Sequence, residues 1–304
     1  MQSDIQAGSG RGTATVESAD RIDEPARRRL PPLWRHSSFV IGAVILLLIL
    51  IMTIGAPVFT QSDPLLQDPN STFLPPSATH IMGADELGRD MLARVLYGGR
   101  WTIAVSIIAI LIATLIGTVI GLLAGYLGGL VDSAIMRFID LLLAFPGLLF
   151  ALAIATITGP GLIGMTIAIG VSLIPGTGRI IRGVTLQARS LGYVEAAHSL
   201  GASPASILRR HILPNIVPQV VVLATTGLGI ATLSVATLGF LGLGLQPPTP
   251  EWGAILNDGR EYVTIAWWIT FFPGAAISLY VIAVNLLGDG LSEILDPTIS
   301  VGLR

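Results

Sequence analysis

The chain has 304 residues, of which 52% are hydrophobic and only 12% are charged, and its formal net charge is -2. Soluble domains carry about 25% charged residues, so this composition indicates a membrane protein. Cysteine is absent, which excludes disulfides and thiolate chemistry, and lysine is absent as well. Because a Walker A loop requires lysine, the chain cannot contain a standard P-loop ATPase.

The N-terminal segment is polar and precedes the first apolar run. Residues 1–38 include a cluster of arginines, and their composition predicts a disordered cytoplasmic tail. Residues 39–59 are all uncharged, and about 20 residues suffice for a helix to cross the hydrocarbon core of a bilayer. This segment therefore predicts the first transmembrane helix.

Residues 60–100 predict an external loop that contains an amphipathic helix. The first part is rich in Pro, Ser and Asp, whereas from Asp85 onward apolar residues recur at helical spacing with charges on the other faces. This pattern is typical of a helix that lies at the membrane interface or packs on a bundle. The glycine pair that begins at Gly98 is the expected stop of that helix.

Residues 101–288 predict a core of five transmembrane helices. The second span lies in 101–131, where Gly117, Gly121 and Gly125 recur every four residues. Small residues at this spacing let helix backbones approach closely in lipid, so they predict a packing seam, although glycine is also simply common in such spans.

Turn residues and polar segments separate the remaining spans. An uncharged run that begins after Asp140 is too long for one helix, and Gly159-Pro160-Gly161 divides it into spans three and four. Arg137 and Asp140 are three residues apart and are expected to pair. The boundaries predicted beyond this run are 211–250 for span five, 262–288 for span six and 289–304 for a cytoplasmic tail.

Aromatic residues surround the start of span six. They are Trp252, Tyr262, Trp267 and Trp268. Aromatic rings of this kind are enriched where a membrane protein meets the lipid headgroups, so they predict an interfacial belt.

A polar, arginine-bearing segment at 179–216 interrupts the apolar runs. Its centre predicts a first short helix from Glu195 to Leu200, which Gly201 can end in the left-handed conformation. Ser203 is the expected N-cap of a second short helix, and the proline that follows it suits the first helical position. A helix–glycine–helix hairpin between two spans predicts a docking surface for another protein.

The arginines are distributed unevenly between the two sides of the membrane. If the N-terminus is cytoplasmic, the inner segments carry 13 arginines and the outer segments carry 4. Positive charge is enriched on the cytoplasmic side, so this split favours a cytoplasmic N-terminus and places the hairpin in the cytoplasm.

The predicted spans lack ionisable residues near their centres. Asn285 is the main strongly polar side chain well inside span six, and an interhelical hydrogen bond is its expected role. Carriers driven by protons or sodium usually keep ionisable residues at this depth. The energy for transport is therefore expected to come from an ATPase on another chain that acts on the hairpin.

The hairpin resembles the EAA loop of ABC-importer permeases. That pattern is Glu-Ala-Ala, three residues, Gly, nine residues, Ile, one residue and Leu-Pro. The matching residues are Glu195, Ala196, Ala197, Gly201, Leu213 and Pro214, and His211 stands at the isoleucine position. Pro214 is expected to end or kink its helix. The resemblance makes this segment an ATPase-coupling loop, in which Glu195 would offer a carboxylate to a basic group of the ATPase.

Further signatures narrow the resemblance to the C-type permeases of dipeptide, oligopeptide and nickel importers. These signatures run from His80 to Asp90 with Arg94 and Arg100, from Arg137 to Asp140 with Ala144-Phe145-Pro146, from Gln246 to Gly253, from Gly288 to Gly290 and from Leu295 to Pro297. The resemblance as a whole covers about residues 39–297.

The resemblance implies an all-α polytopic membrane protein with six transmembrane helices and a type I ABC importer (MetI-like) permease core. Besides the lipid bilayer, its partners would be a homologous B-type permease subunit, two ATPase subunits and an external substrate-binding protein, with no nucleic acid among them. The chain would be a non-catalytic subunit without a cofactor, since ATP and Mg²⁺ would bind the ATPase subunits. It would lie in a bacterial or archaeal inner or plasma membrane with both termini cytoplasmic.

Di- or oligopeptides are the expected cargo, delivered by the external binding protein. Nickel complexes, glutathione and other small solutes are carried by related importers and stay open as alternatives. Two rival interpretations also remain: a stand-alone secondary carrier or channel, which would need no ATP, and a membrane-embedded enzyme restricted to Ser, Asp or Glu chemistry.

Overall fold

A computed structural model describes residues 36–295, and within this range the protein is helical, without β-strands. The predicted tail at 1–38 lies outside the described residues except for its last three, as do the last nine residues of the predicted tail at 289–304 and the last two of the Leu295–Pro297 signature. The helices are α1 (Ser37–Ile54), α2 (Ala56–Phe59), α3 (Met91–Leu127), α4 (Gly129–Leu143), α5 (Gly147–Thr158), α6 (Leu162–Arg189), α7 (Gly192–Ser199), α8 (Pro204–Ile207), α9 (Leu213–Phe240), α10 (Trp252–Gly259) and α11 (Trp268–Leu295). A π-helical turn (Leu208–Ile212) joins α8 to α9, and 3-10 turns lie at Pro69–Ser71 and Arg260–Tyr262.

The described residues cross the membrane up to six times. Five helices or helix runs are long and apolar enough to span, and α4 with α5 forms a sixth, broken crossing bent by 87°. The packing of α3 on α6 supports this count, because Gly117 faces Thr177 and Gly125 faces Thr185, so the two helices are parallel. The chain must return between two parallel neighbours, and α4–α5 provides that return. The all-α, six-span prediction is confirmed.

Local backbone chemistry places the breaks between these helices. Pro146 has no amide hydrogen and disfavours helical backbone at Phe145, which accounts for the bend between α4 and α5. Gly159 and Gly161 have φ angles of 84° and 123°, which L-residues avoid. The division of the long apolar run at this Gly-Pro-Gly sequence is therefore as predicted.

Helix α3 contains only the later part of the amphipathic helix that was expected from Asp85, because residues 85–90 are not helical. It begins at Met91, where the Asp90 carboxylate accepts a hydrogen bond from a first-turn amide, and it continues unbroken to its end. The predicted stop at Gly98 is wrong because the glycine pair serves close packing instead. A Cβ atom added to Gly99 would lie 2.7 Å from the Trp252 ring.

Three other sequence expectations also differ from the structure. α6 continues to Arg189, past the predicted end of span four, so the interrupting segment is shorter than 179–216. α11 continues to Leu295, so the predicted tail begins as helix. The expected pair of Arg137 with Asp140 is wrong, because Asp140 pairs across helices with an arginine of α6.

The bundle has two ends, which we call the hairpin end and the loop end, and they contain different elements. The hairpin end holds α7, α8 and both limits of the described chain, where His36 Nδ1 lies 3.0 Å from the Glu293 carboxylate. The loop end holds residues 60–90 and 241–267, including α10.

α3 and α6 form the most extensive helix pair of the bundle. A Cβ atom at Gly121 would lie 2.7 Å from the carbonyl oxygen of Gly178 and 2.8 Å from the amide nitrogen of Arg182. Gly117 and Gly125 approach threonine side chains of α6 equally closely. In lipid, where apolar burial gives little drive for association, this backbone contact supplies the packing.

A matched pair of alanine substitutions tests the seam. Gly121→Ala is expected to lower the thermal unfolding midpoint in detergent, because its Cβ meets backbone atoms that cannot rotate away. Gly183→Ala on α6 is the control, since a Cβ there meets nothing within 4 Å. Alanine favours a helix over glycine by about 1 kcal/mol, so the control should be neutral or slightly stabilised. Equal midpoints for the two variants would contradict the seam.

Candidate functional site

A glycine turn joins the two helices of the hairpin. Gly201 has a φ angle of 80°. Its amide donates to the carbonyl of His198 at 3.0 Å, and the amide of Ala202 donates to the carbonyl of Ala197 at 3.1 Å. These two bonds form a Schellman turn, which satisfies carbonyls at the end of α7 and requires a residue that tolerates positive φ. The turn agrees with the sequence prediction.

The second half of the hairpin continues directly into α9. Ser203 caps α8 through its side chain, and Pro204 occupies the first turn, as predicted. In a regular α-helix the ring of Pro214 would clash with the carbonyl of Arg210. The π turn at Leu208–Ile212 widens the backbone just before this point, so the proline is accommodated and the helix continues.

An apolar cluster anchors the inner face of the hairpin. Val194 of α7, Ile207 of α8 and Ile212 of the π turn pack with Ile181 of α6 and Ile216 of α9, and all five are buried. Full burial of such a side chain contributes about 1.5–3 kcal/mol. The hairpin is therefore packed directly against α6 and α9.

The outer face of the hairpin is open to solvent. Glu195 and Ala196 are exposed, Ala197 is half-buried, and Leu200 at the tip is 87% exposed. Tyr193 on the same hairpin is also exposed. Exposed apolar side chains beside a carboxylate are typical of a contact surface.

A surface groove of about 580 Å³ lies at the ends of α3 and α6, and side chains of the hairpin form one of its walls. Glu195 and His198 line it on the hairpin side, and Tyr126 and Arg189 line it on the bundle side. The Arg189 guanidinium carbon lies 6.0 Å from the Tyr126 ring centroid. Sequence reasoning did not single out Tyr126 or Arg189. The available signals were that Tyr126 lies near the end of predicted span two and that Arg189 is one of the arginines of the segment 179–216.

His211, at the isoleucine position of the EAA pattern, packs through its ring. It is half-buried, and its ring centroid lies 6.1 Å from that of Tyr193. The Tyr193 hydroxyl accepts a hydrogen bond from Asn215 at 2.9 Å. Ile212, the next residue, is fully buried and makes the apolar contact. Leu213 and Pro214 begin α9.

A buried ion cluster holds the loop end together. The Asp85 carboxylate is fully buried and accepts hydrogen bonds from Arg89, at 2.6 Å, and from Arg94. Arg94 also donates to Asp258 of α10 at 3.1 Å, and Arg89 donates to Glu86 at 2.7 Å. The cluster ties residues 60–90 to α10 and to the start of α3. The sequence pattern singled out Arg94 but gave no sign of its partner on α10.

Buried tryptophans and a buried carboxylate complete the loop end. The indole nitrogen of Trp252 donates to the Val95 carbonyl at 2.8 Å, and that of Trp268 donates to the Ala84 carbonyl at 2.9 Å. The expected interfacial position is therefore wrong for these two residues. Glu251 caps α10 with its carboxylate and accepts a hydrogen bond from a hydroxyl of α3, and burial raises the pKa of this carboxyl.

Comparison with known protein families shows to which family the chain belongs. Residues 117–301 match the family described as binding-protein-dependent transport system inner membrane component. The chain belongs to this family. Residues 26–76 also match the N-terminal transmembrane domain of oligopeptide transport permease C, which confirms the resemblance to C-type permeases.

Individual relatives cover most of the chain. It is 44% identical over 258 residues to the probable D,D-dipeptide transport system permease protein of Escherichia coli strain K12, covering 85% of this chain and 87% of that protein. It is 40% identical over 273 residues to the dipeptide transport system permease protein of Alkalihalophilus pseudofirmus, covering 90% of each. It is 43% identical over 289 residues to the glutathione transport system permease protein of Salmonella typhimurium strain LT2, covering 93% and 94%.

A solved structure shares the fold. Inward-facing MetNI, a methionine ABC transporter, superposes with a TM-score of 0.57 at 20% identity, covering 68% of this chain and 98% of the matched chain. The MetI-like permease core expected from the sequence is thereby confirmed. With the family match and the permease relatives described above, the chain is a permease subunit of an ABC importer.

The buried ion cluster makes a testable contribution to stability. Arg94→Met leaves the buried Asp85 with one cation fewer, and breaking a buried pair costs about 3–5 kcal/mol. Arg260→Met is the matched control, because Arg260 is exposed and exposed pairs contribute about 0–1 kcal/mol. Thermal unfolding in detergent should show a large loss for the first variant only. If both variants lower the unfolding midpoint by a similar amount, the contribution of the buried ion cluster to stability is refuted.

The pH dependence of stability should reveal Glu86. Burial, and then the neighbouring Asp85, raise the pKa of its carboxyl above the ordinary 4.5. The protonated carboxyl then stabilises the fold below pH 4.5, and this contribution is lost as the pH rises through the raised pKa. Glu86→Gln cannot ionise, so its unfolding midpoint should rise relative to the wild type as the pH increases above 4.5. If the difference in unfolding midpoint between Glu86→Gln and the wild type does not change with pH, the raised pKa of Glu86 is contradicted.

Proposed function

We propose that this protein is the C-type permease subunit of an ATP-driven importer that carries di- or oligopeptides across a bacterial or archaeal inner or plasma membrane. The dipeptide and D,D-dipeptide permeases among the relatives support peptide cargo. The glutathione permease supports a second candidate, in which another small solute is carried by the same route.

The hairpin end faces the cytoplasm in this proposal. Most of the 17 arginines belong to the N-terminal tail and to the segments at the hairpin end, and such a bias marks the cytoplasmic side. Both termini then lie in the cytoplasm. The loop end faces outward, where an external substrate-binding protein would deliver the cargo.

One observation carries the mechanism: the hairpin is buried on its inner face and exposed on its outer face. ATP and Mg²⁺ would bind to two separate ATPase subunits, because this chain has no lysine and therefore no standard P-loop. Closure of these subunits would displace the hairpin through the exposed Glu195 and Ala196. Because the apolar cluster ties the hairpin to α6 and α9, this displacement would reach the membrane helices.

A homologous B-type permease subunit would complete the pathway. The MetI-like fold supports such a pairing. Movement of both hairpins would alternate the pathway between outward-open and inward-open states, and the external binding protein would favour the first of these states.

Substitutions in the hairpin test the coupling role. Glu195→Ala removes the exposed carboxylate, and Gly201→Ala strains a left-handed turn by about 1–2 kcal/mol without any steric contact. Both should reduce the ATP hydrolysis that the binding protein stimulates, and the uptake of cargo, in an assembled and reconstituted complex.

Gly192→Ala is the matched control, because a Cβ there meets nothing within 4 Å and the backbone is not left-handed. Unchanged stimulation in both hairpin variants would refute the coupling role. A panel of dipeptides, longer peptides, glutathione and nickel complexes in the same assay would identify the cargo.

A further inference from the structure

Helix α4 touches the bundle through few side chains. Ile139 is its one buried residue, and the Ile139 Cδ1 atom lies 3.3 Å from the position of a Cβ at Gly178 of α6. Leu130, Phe138 and Leu141 on the same helix are more than half exposed. With one buried side chain and only a few half-buried ones, apolar packing alone would hold α4 on α6 weakly.

Two ion pairs flank this contact. Arg182 Nε and Nη2 donate to the two carboxylate oxygens of Asp132 at 2.6 Å and 2.5 Å, and Arg179 donates to the carboxylate of Asp140. A bidentate arginine–carboxylate pair fixes the angle between its partners as well as their distance. The two aspartates are separated by eight residues, or about 12 Å along the helix axis. Two pairs this far apart would hold α4 at one angle to α6.

The two arginines belong to the part of α6 that leads into the hairpin. α6 ends at Arg189 and α7 begins at Gly192. At its other end, α4 leads through the 87° bend into α5. Helix α4 therefore connects the helix that carries the hairpin to α5, the other half of the broken crossing.

We propose that Asp132 and Arg182, supported by Asp140 and Arg179, are positioning residues that make α4 follow α6 when the hairpin moves. The stroke of the ATPase subunits then reaches the broken α4–α5 crossing as well as α6 and α9. This inference rests on the proposed coupling role of the hairpin.

The test compares coupling in the complete reconstituted importer. The variants are Asp132→Asn, Arg182→Gln and the charge exchange Asp132→Arg with Arg182→Asp, and Arg137→Gln is the control on the same helix. Arg137 is exposed and forms no ion pair within residues 36–295. Binding-protein-stimulated ATP hydrolysis and cargo uptake are measured on the same preparations.

Each single variant should keep stimulated ATP hydrolysis but lower the cargo imported per ATP by about fivefold or more, the lower range of typical coupling between sites. The charge exchange should restore much of this ratio, and the control should match the wild type. An unchanged ratio in both single variants overturns the proposal. Loss of assembly that the charge exchange does not repair also overturns it, because it would assign the pair a purely structural role.

A distance measurement gives a second readout that does not depend on uptake. The chain has no cysteine, so spin labels can be placed at Phe138→Cys on α4 and Ile180→Cys on α6, both on exposed residues. With Asp132 and Arg182 intact, the distance between the labels should stay constant between the nucleotide-free and ATP-bound complexes. With Asp132→Asn it should change or broaden, and identical distributions would overturn the proposal.

Failure of the underlying function gives a different result. A wild-type complex without binding-protein-stimulated ATP hydrolysis refutes the coupling role of the hairpin, and the role of the ion pairs with it. A wild type that couples normally, together with ion-pair variants that do the same, refutes only the present inference.

Discussion

The backbone contact between α3 and α6 determines how the rest of the bundle is arranged. Lipid gives apolar helices little reason to associate, so the absence of side chains at Gly117, Gly121 and Gly125 is what lets these two backbones meet. Because the contact is parallel, the intervening chain has to cross the bundle, and it does so as the broken α4–α5 pair. The same contact sets the direction in which α6 emerges toward the hairpin.

Aspartate–arginine pairs occur at both ends of the bundle, but they are buried at the loop end and more exposed at the hairpin end. At the loop end, Asp85 and Arg94 are almost fully buried, and separating such a pair costs about 3–5 kcal/mol. At the hairpin end, Asp140 and Arg179 are more than half exposed, and pairs of this kind contribute about 0–1 kcal/mol. The loop end is therefore fixed by buried charge. On α4 the half-buried, bidentate Asp132–Arg182 pair holds the helix more firmly than the exposed Asp140–Arg179 pair does.

Sequence reasoning succeeded where a few neighbouring residues decide the conformation. The turn at Gly201, the cap at Ser203 and the break at Gly159 each follow from backbone chemistry within one or two helical turns. The length of the apolar runs likewise gave the six spans. It failed where a distant residue decides: Gly98 continues a helix because the neighbouring glycine packs against Trp252, more than 150 positions away.

The candidate site shows the same division. The hairpin and its exposed carboxylate were visible in the sequence, but the groove partners and the preference of Asp140 for Arg179 over Arg137 were not. Helical spacing identifies pairs that can form within one helix, and it says nothing about a helix from elsewhere in the chain that offers a better-placed partner.

If the hairpin moves as proposed, α6 would carry that movement to two helices, and each would respond differently. α3 has to follow as a rigid neighbour, since its glycines leave no space between the two backbones. α4 follows only as far as its ion pairs and Ile139 hold it. The bend at Pro146 would then accommodate a difference in movement between α4 and α5, because the proline has already removed the helical hydrogen bond that would resist a change of angle there.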